Sequence, residues 1–117
     1  MTVASTHIKT LSDVKKYINN NYSEKLSLNI LAEKAVLSPI YFHKLFTEYY
    51  GITPSDYIMK IRISAAKQLL ITKDYSIARI AADCGFSSQS YFNYKFKLEM
   101  GVSPLKYRKD MLSRIEI

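Results

Sequence analysis

The chain repeats itself at a spacing of about 50 residues, and this constrains it more than any other feature. Tyr41-Phe42 returns as Tyr91-Phe92, Phe46 as Phe96, Gly51 as Gly101, Pro54 as Pro104 and Tyr57 as Tyr107. Upstream the offset falls to 49, where Leu31-Ala32 becomes Ile80-Ala81 and Ser38 becomes Ser87. The second copy is therefore expected to hold one extra residue between its serine and its Tyr-Phe pair. Several positions agreeing at one offset point to a duplicated supersecondary unit. A length of 117 residues suits one ordinary domain or two very small ones packed together.

Each copy reads as helical. Only 3 Gly and 3 Pro are present, too few for the frequent turns of a sandwich or barrel. Ile8, Leu11, Val14, Tyr17 and Ile18 recur at helical steps up to Tyr22. Ser27 can cap a short helix from Leu28 to about Ala35, and Val36-Leu37 then forms a tight turn. Ser38-Pro39 pairs a capping hydroxyl with a proline at the first helical position, and Gly51 closes that helix. Thr53-Pro54 opens a long helix to about Ile71 whose residues, Leu69 among them, are apolar around most of its circumference. Such a helix is buried on two sides. Ser76 caps a short helix to about Cys84, Gly85-Phe86 turns, and Ser87 or Ser88 caps a helix to about Met100. Ser103-Pro104 starts the last one, which carries Leu105, Tyr107 and Met111.

A short helix, a tight turn and a longer helix make a helix-turn-helix unit. In the first longer helix Phe42, Leu45, Phe46 and Tyr49 are expected to face the core, which leaves Ile40, His43, Lys44 and Thr47 outside. In the second, Phe92 and Phe96 face inward and Ser90, Asn93, Tyr94 and Lys97 outward. Pro39, Ser88 and Gln89 stand at the starts of these helices and complete the candidate contact set. Side chains of these types bond base edges and phosphates. The chain carries 17 Lys+Arg against 10 Asp+Glu, a net charge of +7, which favours a polyanionic partner. Lys60, Lys67, Lys95 and Arg108 are expected among the phosphate contacts.

Catalysis has little to draw on. His7, His43 and Cys84 form no triad, and neither paired carboxylates in a plausible setting nor a phosphate-cradling loop appears. No metal, no cofactor and no small-molecule ligand within this segment is expected. One cysteine excludes an intramolecular disulfide framework and fits a reducing compartment. No apolar run suits a spanning helix, and Met1–His7 lacks the apolar core of a signal peptide, so a cytoplasmic protein with no membrane partner is expected. The competing reading is a helical protein–protein interaction module. Ile40 and Tyr94 could anchor one, but His43, Lys44, Asn93 and Lys97 suit it poorly.

The segment from Ser76 through Ala81-Ala82-Asp83-Cys84-Gly85-Phe86-Ser87 to Tyr91-Phe92 resembles the signature of AraC/XylS-type bacterial transcription regulators. Phe96-Lys97, Gly101, Ser103-Pro104 and Tyr107-Arg108 continue it. Leu28 to Ala35, Ser38-Pro39, Phe46, Gly51, Pro54, Tyr57, Arg62, Ala66 and Leu69-Leu70 match in the first half. The resemblance implies an all-α fold of about seven helices, with two homeodomain-like helix-turn-helix subdomains joined by a long central helix. It implies double-stranded DNA as partner, read by both second helices in successive major grooves, and RNA polymerase as a further partner. A linker of about 17 residues spans about 25 Å, of the order of one DNA turn, about 34 Å. The expected organisation is a disordered lead (1–7), a first subdomain (8–53), a linker helix (54–72), a second subdomain (73–112) and a tail (113–117). Two departures stand out: Tyr94 replaces a frequent arginine, and Ile40 is apolar where a polar or aromatic residue is common. The chain reads as the output domain of a longer sensor or response-regulator protein, although short members acting alone also exist.

Overall fold

Serine and threonine hydroxyls set most of the helix starts. In the computed structural model, which describes residues 3–115, seven helices and no strand occur among the described residues. They are α1 (Ser5–Asn21), α2 (Leu28–Ala35), α3 (Pro39–Tyr50), α4 (Pro54–Thr72), α5 (Ile77–Asp83), α6 (Gln89–Met100) and α7 (Pro104–Ile115). Six of these begin after a residue whose hydroxyl accepts from the amide three positions on: Ser27, Ser38, Thr53, Ser76, Ser88 and Ser103. Each bond satisfies a donor that the first helical turn leaves without an internal partner.

The chain divides into two compact units between Ile61 and Arg62, inside α4. In the first unit Leu11, Val14 and Ile18 of α1, Leu31, Ala32 and Ala35 of α2, Phe42, Leu45 and Phe46 of α3, and Ile58 of α4 form one core. The rings of Phe42 and Phe46 lie 5.7 Å apart, and Tyr57 closes on Phe46 at 6.0 Å. The Tyr57 hydroxyl donates to Asn19 Oδ1 at 2.6 Å and so ties α4 to α1.

The second unit repeats this plan. Ile80, Ala81, Phe92 and Phe96 are buried; the rings of Phe92 and Phe96 lie 5.6 Å apart, and Tyr107 closes on Phe96 at 5.4 Å. Ile63, Ala66 and Leu70 are its buried residues on α4, at the same i, i+3, i+7 spacing as Leu11, Val14 and Ile18 on α1. The latter half of α4 thus serves the second unit as α1 serves the first. This is why α4 is apolar around so much of its circumference: its early residues complete one core and its later ones begin another.

Several expectations need correction. The lead was expected to be disordered over 1–7, yet α1 begins at Ser5. Val3 packs against the core, and the His7 ring meets Tyr41 edge-on at 5.6 Å. Packing holds this start although Ala4 offers no side-chain cap. Residues 1 and 2 lie outside the described residues. The tail expected over 113–117 is helical to Ile115, since neither Gly nor Pro interrupts α7 after Pro104; residues 116 and 117 lie outside the described residues. Tyr49, expected in the core, is 44% exposed, and Tyr50 packs there instead. On α4, Leu70 is buried and Leu69 only partly so. The extra residue of the second copy also sits elsewhere: Ser88, not Ser87, caps α6, so α3 and α6 match residue for residue and the added Ser87 lengthens the turn.

Candidate nucleic-acid interface

α3 and α6 are each 12 residues long, and their Phe pairs anchor them identically. Anchoring by Phe42 and Phe46 turns Ile40, His43 and Lys44 outward, all exposed. Anchoring by Phe92 and Phe96 does the same for Ser90, Asn93, Tyr94 and Lys97. A helix buried along one stripe must present the opposite stripe to solvent, so both faces follow from the same two rings. In each unit the predicted residues therefore come together on one helix face.

Not every candidate offers what its side chain suggests. Pro39 is half-buried at the first turn. Thr47 is also half-buried, and its hydroxyl oxygen is shielded from solvent and finds no partner among the described residues. The Ser88 hydroxyl is occupied by the Tyr91 amide at 3.0 Å, so its role is to start α6. Gln89 is exposed in the first turn of α6.

The cations separate in the same way. Among the described residues the ion pairs are Lys9–Asp13, Arg79–Asp83 and Lys106–Asp110, all between exposed residues one helical turn apart. Lys44 and Lys97 are in none of them, which leaves their ammonium groups available to an outside anion. Lys60 is exposed and Lys67 half-exposed. Lys95 is half-buried, with Nζ 5.7 Å from the Tyr91 ring centroid.

Arg108 does not stand free as a phosphate contact. Its Nε donates to the Leu70 carbonyl at 2.8 Å, and its Nη2 donates to those of Tyr75 at 2.8 Å and Lys73 at 3.3 Å. It caps the end of α4 and the segment leading to α5. Carbonyls in a last helical turn lack partners within the helix, and a guanidinium fork can serve several at once.

Sequence reasoning missed two surface residues. Leu98 is exposed one turn beyond Tyr94, and the two line a shallow cleft of about 350 Å³ with Lys97 and Gly101. The i+4 spacing from Tyr94 was the available signal. Val36, in the turn between α2 and α3, is 88% exposed and has φ +57°. No group of three or more metal-ligating side chains occurs among the described residues. No described helix is long and apolar enough to cross a membrane.

Comparison with known proteins fits this geometry. A family model described as a helix-turn-helix domain matches residues 31–110. The regulatory protein PocR of Salmonella typhimurium is 37% identical over 105 residues, which is 90% of this chain and 35% of PocR. The DNA-binding domain of AdpA, a global transcriptional factor solved in complex with a target DNA, superposes with a TM-score of 0.86 at 30% identity, covering 89% of this chain and 94% of that one. The C-terminal domain of AraT, a response regulator from Geobacillus stearothermophilus, gives a TM-score of 0.83 at 33% identity, covering 86% and 84%. The chain spans between about a third and a half of the length of the first curated relatives it matches.

Proposed function

Because the chain belongs to the AraC-type family of helix-turn-helix transcription regulators, we propose that it binds double-stranded DNA through α3 and α6, each in its own stretch of major groove. The observation that carries this reading is the paired outer face. Two helices anchored by equivalent Phe pairs present exposed polar and cationic side chains at matching positions. Ile40, His43 and Lys44 on one helix, and Gln89, Ser90, Asn93, Tyr94 and Lys97 on the other, are the proposed contacts. Pro39 and Ser88 set the helix starts, and Thr47 supports the face rather than offering its hydroxyl.

The role proposed for the segment is binding and not catalysis. His43 lies on the exposed face, and the Cys84 thiol is buried and pushed up to about 11 by desolvation, then by the neighbouring Asp83, with Arg62 opposing. A thiol so protonated is a poor nucleophile. The chain covers only part of the length of its relatives, which fits an output module within a longer regulator, and RNA polymerase is the further partner proposed for it.

Binding to duplex DNA should weaken steeply with salt, since each phosphate contact releases counterions. Lys44→Ala and Asn93→Ala should each cost about 1–3 kcal/mol if they touch base edges, and should relax preference in different halves of the site. Quantitative footprinting at several salt concentrations checks both. A binding constant indifferent to salt would overturn the reading.

A further inference from the structure

No arginine lies on α3 or α6, so of the side chains that pair with guanine these faces offer only lysine, Lys44 on one and Lys97 on the other. Beside Lys44, α3 offers the apolar Ile40. It stands in the first turn, the end of a second helix that reaches base edges in helix-turn-helix docking. Its side chain is 84% exposed, and its neighbours one turn on, His43 and Lys44, are polar. The fold makes no use of it, because Phe42, Leu45 and Phe46 supply the core of this helix. At the matching place on α6 stands Ser90. A branched apolar side chain held in water gains by meeting another apolar group. On the edges of unmodified bases in the major groove, that group is the C5-methyl of thymine.

We propose that Ile40 is a specificity-determining residue that reads a thymine C5-methyl group in the half-site bound by α3, and that α6 makes no methyl contact at the matching place. The inference rests on the DNA reading above and adds the chemistry that α3 recognises.

The test uses the intact chain and duplexes selected by it from a random pool, resynthesised with uracil replacing one thymine at a time. Uracil keeps the base pair and removes only the methyl. One thymine should stand out, its replacement weakening binding about four-fold, the worth of one buried methyl. Ile40→Ala should bind the thymine and uracil duplexes equally, and so should Ile40→Ser, which copies Ser90. Both variants should melt with the parent, because the side chain is exposed. The proposal falls if every thymine tolerates uracil, or if the uracil penalty persists in Ile40→Ala. Unchanged affinity of Ile40→Ala for every duplex also overturns it. Failure to select any duplex would overturn the DNA reading, and this inference with it.

Discussion

The two units share one plan, but different residues turn the corner that ends α2 in one and α5 in the other. In the first, Val36 donates to the Glu33 carbonyl and Leu37 to that of Ala32, both at 3.0 Å. In the second, Gly85 donates to Ala82 at 3.1 Å and Phe86 to Ala81 at 3.0 Å. Both are the same helix-ending motif, which requires a left-handed residue at its corner. Gly85 takes that conformation freely at φ +92°, whereas Val36 takes it at φ +57° with a β-branched side chain. The hydrogen bonds and the burial of Phe42 and Phe46 override the local preference of valine. A second contrast concerns how each unit is closed. Fifty residues before Arg108 stands Ile58, buried in the first core, whereas Arg108 grips carbonyls at the end of α4. Charge differs as well: up to Ile61 the sequence has seven Lys, no Arg and five acidic residues; from Arg62 onward it has ten basic and five acidic residues. The second unit therefore carries more of the net positive charge.

The largest effect tests the closures. Arg108→Ala should destabilise the second unit by about 2–3 kcal/mol, since three carbonyls lose a charged donor. Arg108→Lys should recover little, because an ammonium lacks the planar fork. Urea unfolding followed by amide exchange in each unit would show it. If Arg108 instead served a phosphate, stability would hold and the salt slope of DNA binding would fall by about 1.

A smaller effect tests the turns. Val36→Gly should stabilise the first unit by about 1 kcal/mol, because it relieves a left-handed valine whose exposed side chain packs on little. Gly85→Val should destabilise the second by about 1–2 kcal/mol. Denaturant midpoints for the pair decide the matter; shifts of the same sign would break the contrast between the units.

A last test uses Cys84, whose place in the first unit is held by Ala35. With its thiol raised from near 9 to about 11 by burial, alkylation at pH 8 should run at least about a hundredfold slower than for an exposed thiol. The folded state holds this proton to higher pH than the unfolded state does. Its contribution to stability is thus complete below about pH 9 and is lost as the pH rises through about 11. Labelling rates against urea would report opening of the second unit alone, and Val36→Gly should leave them unchanged.

Much of this fold was legible because its signals are local. A cap such as Ser27, Ser38 or Ser76 acts over three residues, and a terminator such as Gly51 or Gly101 acts at its own position, so helix ends could be placed without knowing what packs where. The duplicated Tyr-Phe pairs fixed which face of each longer helix turns inward, and with it the candidate contacts Ile40, Lys44, Asn93 and Lys97.

Residues whose role depends on distant partners were not legible. Tyr49 and Tyr50 are adjacent tyrosines, and which of them enters the core depends on how α3 lies on its neighbours. Ser87 and Ser88 could each cap a helix, and only the joint fit of the α5 ending and the Phe92 anchor selects Ser88. Arg108 looked like a surface cation because its acceptors lie 33 to 38 residues away along the chain. By itself, then, the sequence determined the helices, their duplication and their outward faces, since hydrophobic period and capping are properties of a few consecutive residues. Tertiary structure alone decided that Val36 adopts a left-handed turn, that Tyr50 and not Tyr49 enters the core, and that Arg108 is a clamp: these depend on burial and acceptors contributed from far along the chain.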